Sequence, residues 1–176
     1  MFLYCPFSVC LNEQYLFHGT RSNSPYELAM QKAGFDPQGS LNSLYGSGCY
    51  FAKKASYSHH YAFRSHDPEG TIPNGDGSYF HLMIAEVLCG NSRIDRVPWP
   101  EAERNDPKYR QSMLGDLFDS VKGGPHFPSR TLKVDASEMF VLYRSSQILA
   151  SYIVSYTVRF TTNKNCVNTH ETFVRI

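Results

Sequence analysis

The sequence predicts an α+β domain, and three observations carry that reading. Strand-like apolar runs outnumber helical segments, clusters of Gly, Pro, Asn and Ser separate them, and no internal repeat or low-complexity tract offers a different architecture. With 176 residues, 41% of them hydrophobic, the chain can bury a core as one domain without disulfides or metals.

The elements follow in order. "EQYLFHGT" reads as a short strand, and "SPYELAMQKAG" as a helix with Ser24 at its N-cap, Pro25 at its first position and Gly34 beyond its end. "FDPQGSLNSLYGSG" is a loop, "CYFA" a brief strand, and "SYSHHYAF" a helix opening near Ser56. "DPEGTIPNGDGS", with its Asn-Gly and Asp-Gly pairs, reads as a hairpin loop feeding the strand "YFHLMIAEVLCG". From Asn91 to Pro128 the chain is polar and broken by Pro and Gly, so it is expected to make a long surface excursion with a single helical turn. "EMFVLYR" and "ILASYIVSYTVRF", joined by "SSQ", close the domain.

The flanks read differently. Residues 161–176 form a polar tail without a clear period, expected to fray. Residues 1–14 read as a truncated N-terminal edge, because "MFLYCPFSVCL" is too short to span a bilayer and lacks a basic front region and a cleavage site. The domain proper is then 15–160.

Charge and cysteine usage exclude several function classes. A net charge of +1 and a pI of about 7.7 offer no broad attraction to nucleic acid or anionic lipid. The cysteines Cys5, Cys10, Cys49, Cys89 and Cys166 are odd in number and fall into no ligand or disulfide spacing. That usage fits a reducing compartment, nuclear or cytoplasmic, and predicts neither a metal nor a membrane partner.

Individual residues hint at a ligand site. Gly46-Ser47-Gly48 lacks the third glycine and the preceding strand of a dinucleotide-binding loop, so it reads as a tight turn. Ser58 and Tyr61 lie three apart and share a helix face, with Tyr57 four from Tyr61. A flat, electron-poor ring bearing an amide would suit them, the phenol stacking on its face and the hydroxyl bonding the amide; core filling is the plainer use of the same spacing. His18 ends a strand directly before Gly19, which would let a ligand approach the backbone and use its N–H and C=O.

"LFHGT", "GFD", "YGSGCYFAKKASYSHHYA", "FHLMIAEVLCG", "DSVKGG" and "EMFVLYRSSQILASYIVSY" occur in the order and spacing of a known family. Over about Tyr15 to Tyr156 the chain resembles the PARP-like (diphtheria-toxin-type) ADP-ribosyltransferase catalytic domain. The resemblance implies an ADP-ribosyltransferase fold, a split antiparallel β-sheet core with flanking helices, and NAD as the substrate. By position in the motifs, it implies that His18 holds ribose hydroxyls and that the Gly19 backbone clamps the carboxamide. Thr20 would lie near the adenosine ribose, Tyr50 and Tyr61 would wall the nicotinamide slot, and Ser58 would bond the carboxamide. The segment from Asp36 to Tyr45 would correspond to the loop that covers NAD, which makes Tyr45 a further cofactor contact.

One position departs from the poly-ADP-ribosylating members, which carry a glutamate at the third catalytic position. Counting back from Gln147, that position falls on Met139, with Glu138 one residue earlier. Strand residues alternate, so only one of the two enters the cleft unless a bulge intervenes. With Met139 inside, no carboxylate polarises a ribose hydroxyl, and the resemblance implies mono-ADP-ribosylation of a protein acceptor. With Glu138 inside, chain elongation returns. A catalytically silent NAD-binding or interaction module is the third reading, and a nucleic-acid end stays open as an acceptor although the charge does not support it. Elsewhere, His59-His60 point apart on a helix and suggest no metal, "VKGGPHFPSRTLK" reads as a solvated basic loop, and Trp99 as a surface-loop anchor.

Overall fold

A computed structural model describes residues 11–31, 34–37, 43–66, 78–111, 113, 115–128, 136–160 and 166–175. The expected hairpin loop at 67–77 lies outside the described residues, as do 1–10, 38–42 and 129–135.

Among the described residues, nine strands form one sheet. They are β1 (Glu13–His18), β2 (Cys49–Ala52), β3 (Phe63–His66), β4 (Ser78–Leu88), β5 (Ser92–Asp95), β6 (Ser120–His126), β7 (Ser137–Leu142), β8 (Ile148–Phe160) and β9 (Cys166–Arg175). The order across the sheet is β5-β6-β7-β2-β1-β4-β8-β9, with β3 on β4. Every pairing is antiparallel except β5 with β6. With two short helices, α1 (Pro25–Met30) and α2 (Ala55–His59), this is the α+β fold that the sequence predicts.

The sheet is weakest at one seam. β1 runs beside β4 at six successive positions, from Glu13↔Leu88 to His18↔Met83, but meets β2 only at Phe17↔Ala52. The split expected of the core is that single-register contact. Two apolar clusters flank it. The larger gathers Leu16, Phe51, Met83, Phe140, Leu142 and Ile153; the other gathers Tyr45, Tyr57, Trp99, Val121, Met139 and Val141. β7 serves both because its side chains alternate, Phe140 and Leu142 to one and Met139 and Val141 to the other.

Several sequence expectations are corrected. α1 stops at Met30, where Gln31 returns to an extended backbone, and Ser24 makes no side-chain cap bond. So short a helix is held by packing of Leu28 and Ala29 on the core more than by its own propensity. α2 opens at Ala55, just before Ser56 and with Lys54 at its N-cap, but it is only five residues long, and Phe63 has already joined a strand opposite His81. The excursion from Asn91 to Pro128 contains β5, β6 and two 3-10 turns, at Glu101–Glu103 and Pro107–Arg110. Gly123, Gly124 and Pro125 hid β6, since turn-forming residues seldom sit in a strand. Residues 166–175 of the expected tail form β9, which pairs with β8 from Tyr152↔Arg175 to Phe160↔Cys166, so backbone ladder bonds replace the missing alternation there.

Candidate active site at the β1–β2 seam

A cleft of about 810 Å³ opens where β1 parts from β2. Its walls include His18, Gly19, Thr20, Tyr50, Ser58, Tyr61 and Met139, all singled out from the sequence. Each is fixed by the local consequence of incomplete strand pairing.

His18 Nδ1 lies 2.7 Å from the Tyr50 carbonyl, across the seam. A carbonyl can only accept, so Nδ1 carries the proton and Nε2 is left as an acceptor. Burial lowers the pKa of the ring, against the opposing pull of the Tyr50 bond, so the neutral form is favoured. Phe35 and Phe51 hold the imidazole, with ring centroids at 5.3 and 5.2 Å. The result is an oriented, uncharged acceptor, suited to a hydroxyl donor.

Ser58 does the same work from the helix. Its Oγ donates to the Phe17 carbonyl at 3.1 Å, stapling α2 to β1, and its lone pairs can still accept from an amide N–H. Gly19 is needed for a different reason than ligand access: a Cβ there would lie 2.7 Å from the Ser58 carbonyl and collide with that of Tyr61. The end of α2 therefore sits directly on the Gly19 backbone, and the chain turns so that Arg21 N–H donates to the Tyr61 carbonyl at 2.8 Å. Thr20 is buried, its Oγ1 donating to the Asn23 carbonyl at 2.6 Å.

Tyr50 is locked by its own hydroxyl. It donates to the Gly46 carbonyl and accepts from Tyr45 N–H, both at 2.8 Å, closing the Gly46–Gly48 turn beneath the ring. Gly46 adopts φ 78°, which a side chain would resist, so the glycines serve a turn and not a phosphate loop. With both hydroxyl functions engaged, Tyr50 offers the cleft its ring. Tyr61 donates to the Pro128 carbonyl at 3.3 Å and lies 5.7 Å from Tyr57, whose ring the sequence noted only as a neighbour.

Met139 lines the cleft, 3% exposed and opposite Ala52. Glu138 does not. Its carboxylate pairs with Lys122 at 2.8 Å and Lys53 at 3.6 Å on the other side of β7, and the Lys122 bond is the main reason its pKa is lowered. The pairing of β2 with β7 runs without a shift from Cys49↔Leu142 to Ala52↔Met139, and the irregularity beside Glu138 belongs to β6, which carries an extra residue between Gly123↔Met139 and His126↔Ser137, so β7 keeps its own alternation.

Tyr45 is a correction: it does not line the cleft. It is fully buried in the second cluster, its hydroxyl donating to the Asp95 carbonyl at 3.0 Å and contacting His126 Nε2 at 2.5 Å, and burial pushes its pKa up to about 12. Trp99 joins it in that core, 4% exposed, bonding Asp95 at 2.6 Å, so it anchors from inside and not from the surface. Half of the loop expected to cover the ligand, residues 38–42, lies outside the described residues. Sequence reasoning missed Arg21, Glu27 and Cys49 in the cleft wall. Arg21 directly follows the "HGT" run and Cys49 opens "CYFA", which was the available signal for those two; Glu27 carried none. Among the described residues no group of His, Cys, Asp and Glu could hold a metal ion.

Comparison with known proteins points the same way. The family model of the poly(ADP-ribose) polymerase catalytic domain matches residues 3–158. A probable poly [ADP-ribose] polymerase of Dictyostelium discoideum is 31% identical over 153 residues, covering 87% of this chain and 36% of that protein. Protein mono-ADP-ribosyltransferase PARP12 of Homo sapiens is 26% identical over 147 residues, covering 84% of this chain and 17% of its own length. Protein mono-ADP-ribosyltransferase PARP11 of Mus musculus is 24% identical over 155 residues, covering 83% and 43%. The chain thus spans less than half the length of each of these relatives.

Proposed function

The chain belongs to the poly(ADP-ribose) polymerase catalytic domain family, and from that premise we propose that it transfers a single ADP-ribose from NAD to a protein acceptor, releasing nicotinamide. The observation that carries the reading is the placement of Met139 in the cleft, with Glu138 held outside it by Lys122 and Lys53.

The chemistry follows from the cleft walls. The nicotinamide ring stacks between Tyr50 and Tyr61, and its carboxamide bonds the Gly19 backbone and Ser58 Oγ. His18 Nε2 accepts from a ribose hydroxyl and fixes the sugar for attack on its far face. The bond between ribose C1 and the nicotinamide nitrogen breaks, its electron pair neutralising the pyridinium, and positive charge spreads over the sugar as in glycoside cleavage. The acceptor atom bonds C1 and gives up its proton. A ribose hydroxyl would need a positioned carboxylate for that last step, and Met139 supplies none, so elongation stops after one unit.

Cys49 is not the nucleophile, because burial pushes its thiol up to about 12. The buried free thiols of Cys49 and Cys89 support a reducing compartment, nuclear or cytoplasmic. The test is incubation with labelled NAD, wild type beside His18→Ala, with products resolved on a denaturing gel. A sharp single-size label that depends on His18 is the expected result. A ladder would overturn single transfer, and NAD binding without label would make the chain a silent NAD-binding module.

A further inference from the structure

Arg21 is the feature of the cleft that the proposed chemistry leaves unused. It follows Gly19 and Thr20 in a left-handed conformation, φ 55°, which is uncommon for a residue with a side chain. Its N–H is tied to the Tyr61 carbonyl at 2.8 Å, and its guanidinium lies 4.7 Å from the centroid of the Tyr61 ring. One residue thus grips both the backbone and the ring of the tyrosine expected to stack nicotinamide.

Charge makes this contact informative. Among the described residues lining the cleft, Arg21 is the only lysine or arginine, whereas Glu27 and Asp36 bring two carboxylates. NAD carries a pyrophosphate with two negative charges and a pyridinium with one positive charge. The carboxylates repel the first, and a guanidinium over Tyr61 repels the second. A long, exposed arginine at the mouth relieves both conflicts if it moves from the ring to the phosphates.

Building on the NAD reading, we propose that Arg21 is an exchangeable cation: it packs over the Tyr61 ring, gives up that place when the pyridinium stacks there, and pairs with the pyrophosphate of the same NAD molecule. Because the same side chain shields the ring and then binds the phosphates, the cleft favours the intact dinucleotide over nicotinamide alone. Arg21 is therefore a binding and specificity residue, and no bond is made or broken through it.

The test separates the two halves of the ligand. ADP-ribose, nicotinamide and NAD are titrated calorimetrically into the wild type, Arg21→Ala and Arg21→Gln, with circular dichroism confirming that each variant is folded. Loss of the cation should weaken ADP-ribose binding about tenfold, with the same direction for NAD, and nicotinamide should bind at least as tightly as before. In the wild type, added salt should weaken ADP-ribose but not nicotinamide. Absence of that salt difference in the wild type would overturn the exchange even if both variants unfold. Unchanged ADP-ribose affinity in the variants, or nicotinamide affinity falling in step with it, would overturn the exchange while leaving the NAD reading intact. A folded wild type that binds none of the three ligands would overturn both.

Discussion

β1 has two edges that behave differently. Toward β4 it is zipped from Glu13 to His18; toward β2 it is joined at one position. On the zipped edge, backbone bonds satisfy the polar groups, leaving side chains such as Leu16 and Met83 free to be apolar and buried. On the open edge, side chains stand in for the ladder. His18 bonds the Tyr50 carbonyl and Ser58 bonds the Phe17 carbonyl. These are also the residues placed to hold a ligand, so the seam's structural staples and its chemistry share atoms. A sheet interrupted in this way creates a cleft and obliges polar side chains to line it.

The comparison can be broken most severely from the zipped side. Met83, fully buried in the larger cluster, touches the core and not the cleft. Met83→Ala should cost about 2–5 kcal/mol of stability by emptying core volume, with NAD affinity of the folded fraction preserved. Urea unfolding checks the first part and calorimetry below the transition checks the second. A loss of affinity without a loss of stability would mean that the two edges are not independent.

Gly19→Ala is the matching change at the seam. The new methyl meets backbone carbonyls at the end of α2, which cannot rotate away, so about 1–3 kcal/mol is expected from overpacking. Here NAD binding should fall further than stability alone explains, because Ser58 and Tyr61 move together. Equal NAD affinity in a folded Gly19→Ala variant would show that α2 does not set the ligand site.

A pH series gives a smaller effect and locates it. Burial lowers the pKa of His18 at the seam, of His81 on β4 and of His126 on β6, from an ordinary value of 6.5. Each binds its proton more readily in the unfolded chain, so stability is complete above about pH 6.5 and declines as pH falls from there through the lowered folded values. The slope per histidine cannot exceed about 1.4 kcal/mol per pH unit. His18→Gln should flatten the decline partly and abolish transfer; His81→Gln should flatten it and leave transfer intact. Urea midpoints at pH 7.5 and 5.5, beside a labelling assay, distinguish them.

How much of this was legible in the sequence follows from the same contrast. β1, β2, β4, β7 and β8 were readable because apolar runs report burial directly, and the alternation that sends Met139 and Glu138 opposite ways is a property of any strand. β5, β6 and β9 were not, because their order comes from pairing with a neighbour: β6 carries Gly123, Gly124 and Pro125, and β9 shows no clear period. Tyr45 misled for a related reason. Its place at the end of the loop expected to cover NAD made it a cofactor contact, yet its exposure depends on Gly123 lying against its ring, 78 residues away and with no trace in the local pattern. The contact of Arg21 with Tyr61 was not legible, because only the turn after Gly19 brings the guanidinium over that ring.

The smallest expected effect tests the sharpest structural statement. Glu138 sits behind β7 with a third of its side chain exposed, paired with Lys122 and Lys53. Its partners and solvent screening limit the interaction, so Glu138→Gln should change stability by no more than about 1 kcal/mol. The lowered carboxyl pKa sets the sign: any contribution is present above the ordinary carboxylate value and disappears as pH falls through the folded one, so wild type and variant should converge in acid. The labelled product should keep its size and yield, since the carboxylate never faces the substrate. If instead Glu138→Gln abolishes the label while the protein stays folded, the strand must present that residue to NAD during the reaction, and the independence of the two faces of β7 would fail with it. A variant with normal labelling and a small loss of stability would leave Met139, and not Glu138, as the residue that β7 offers the cleft.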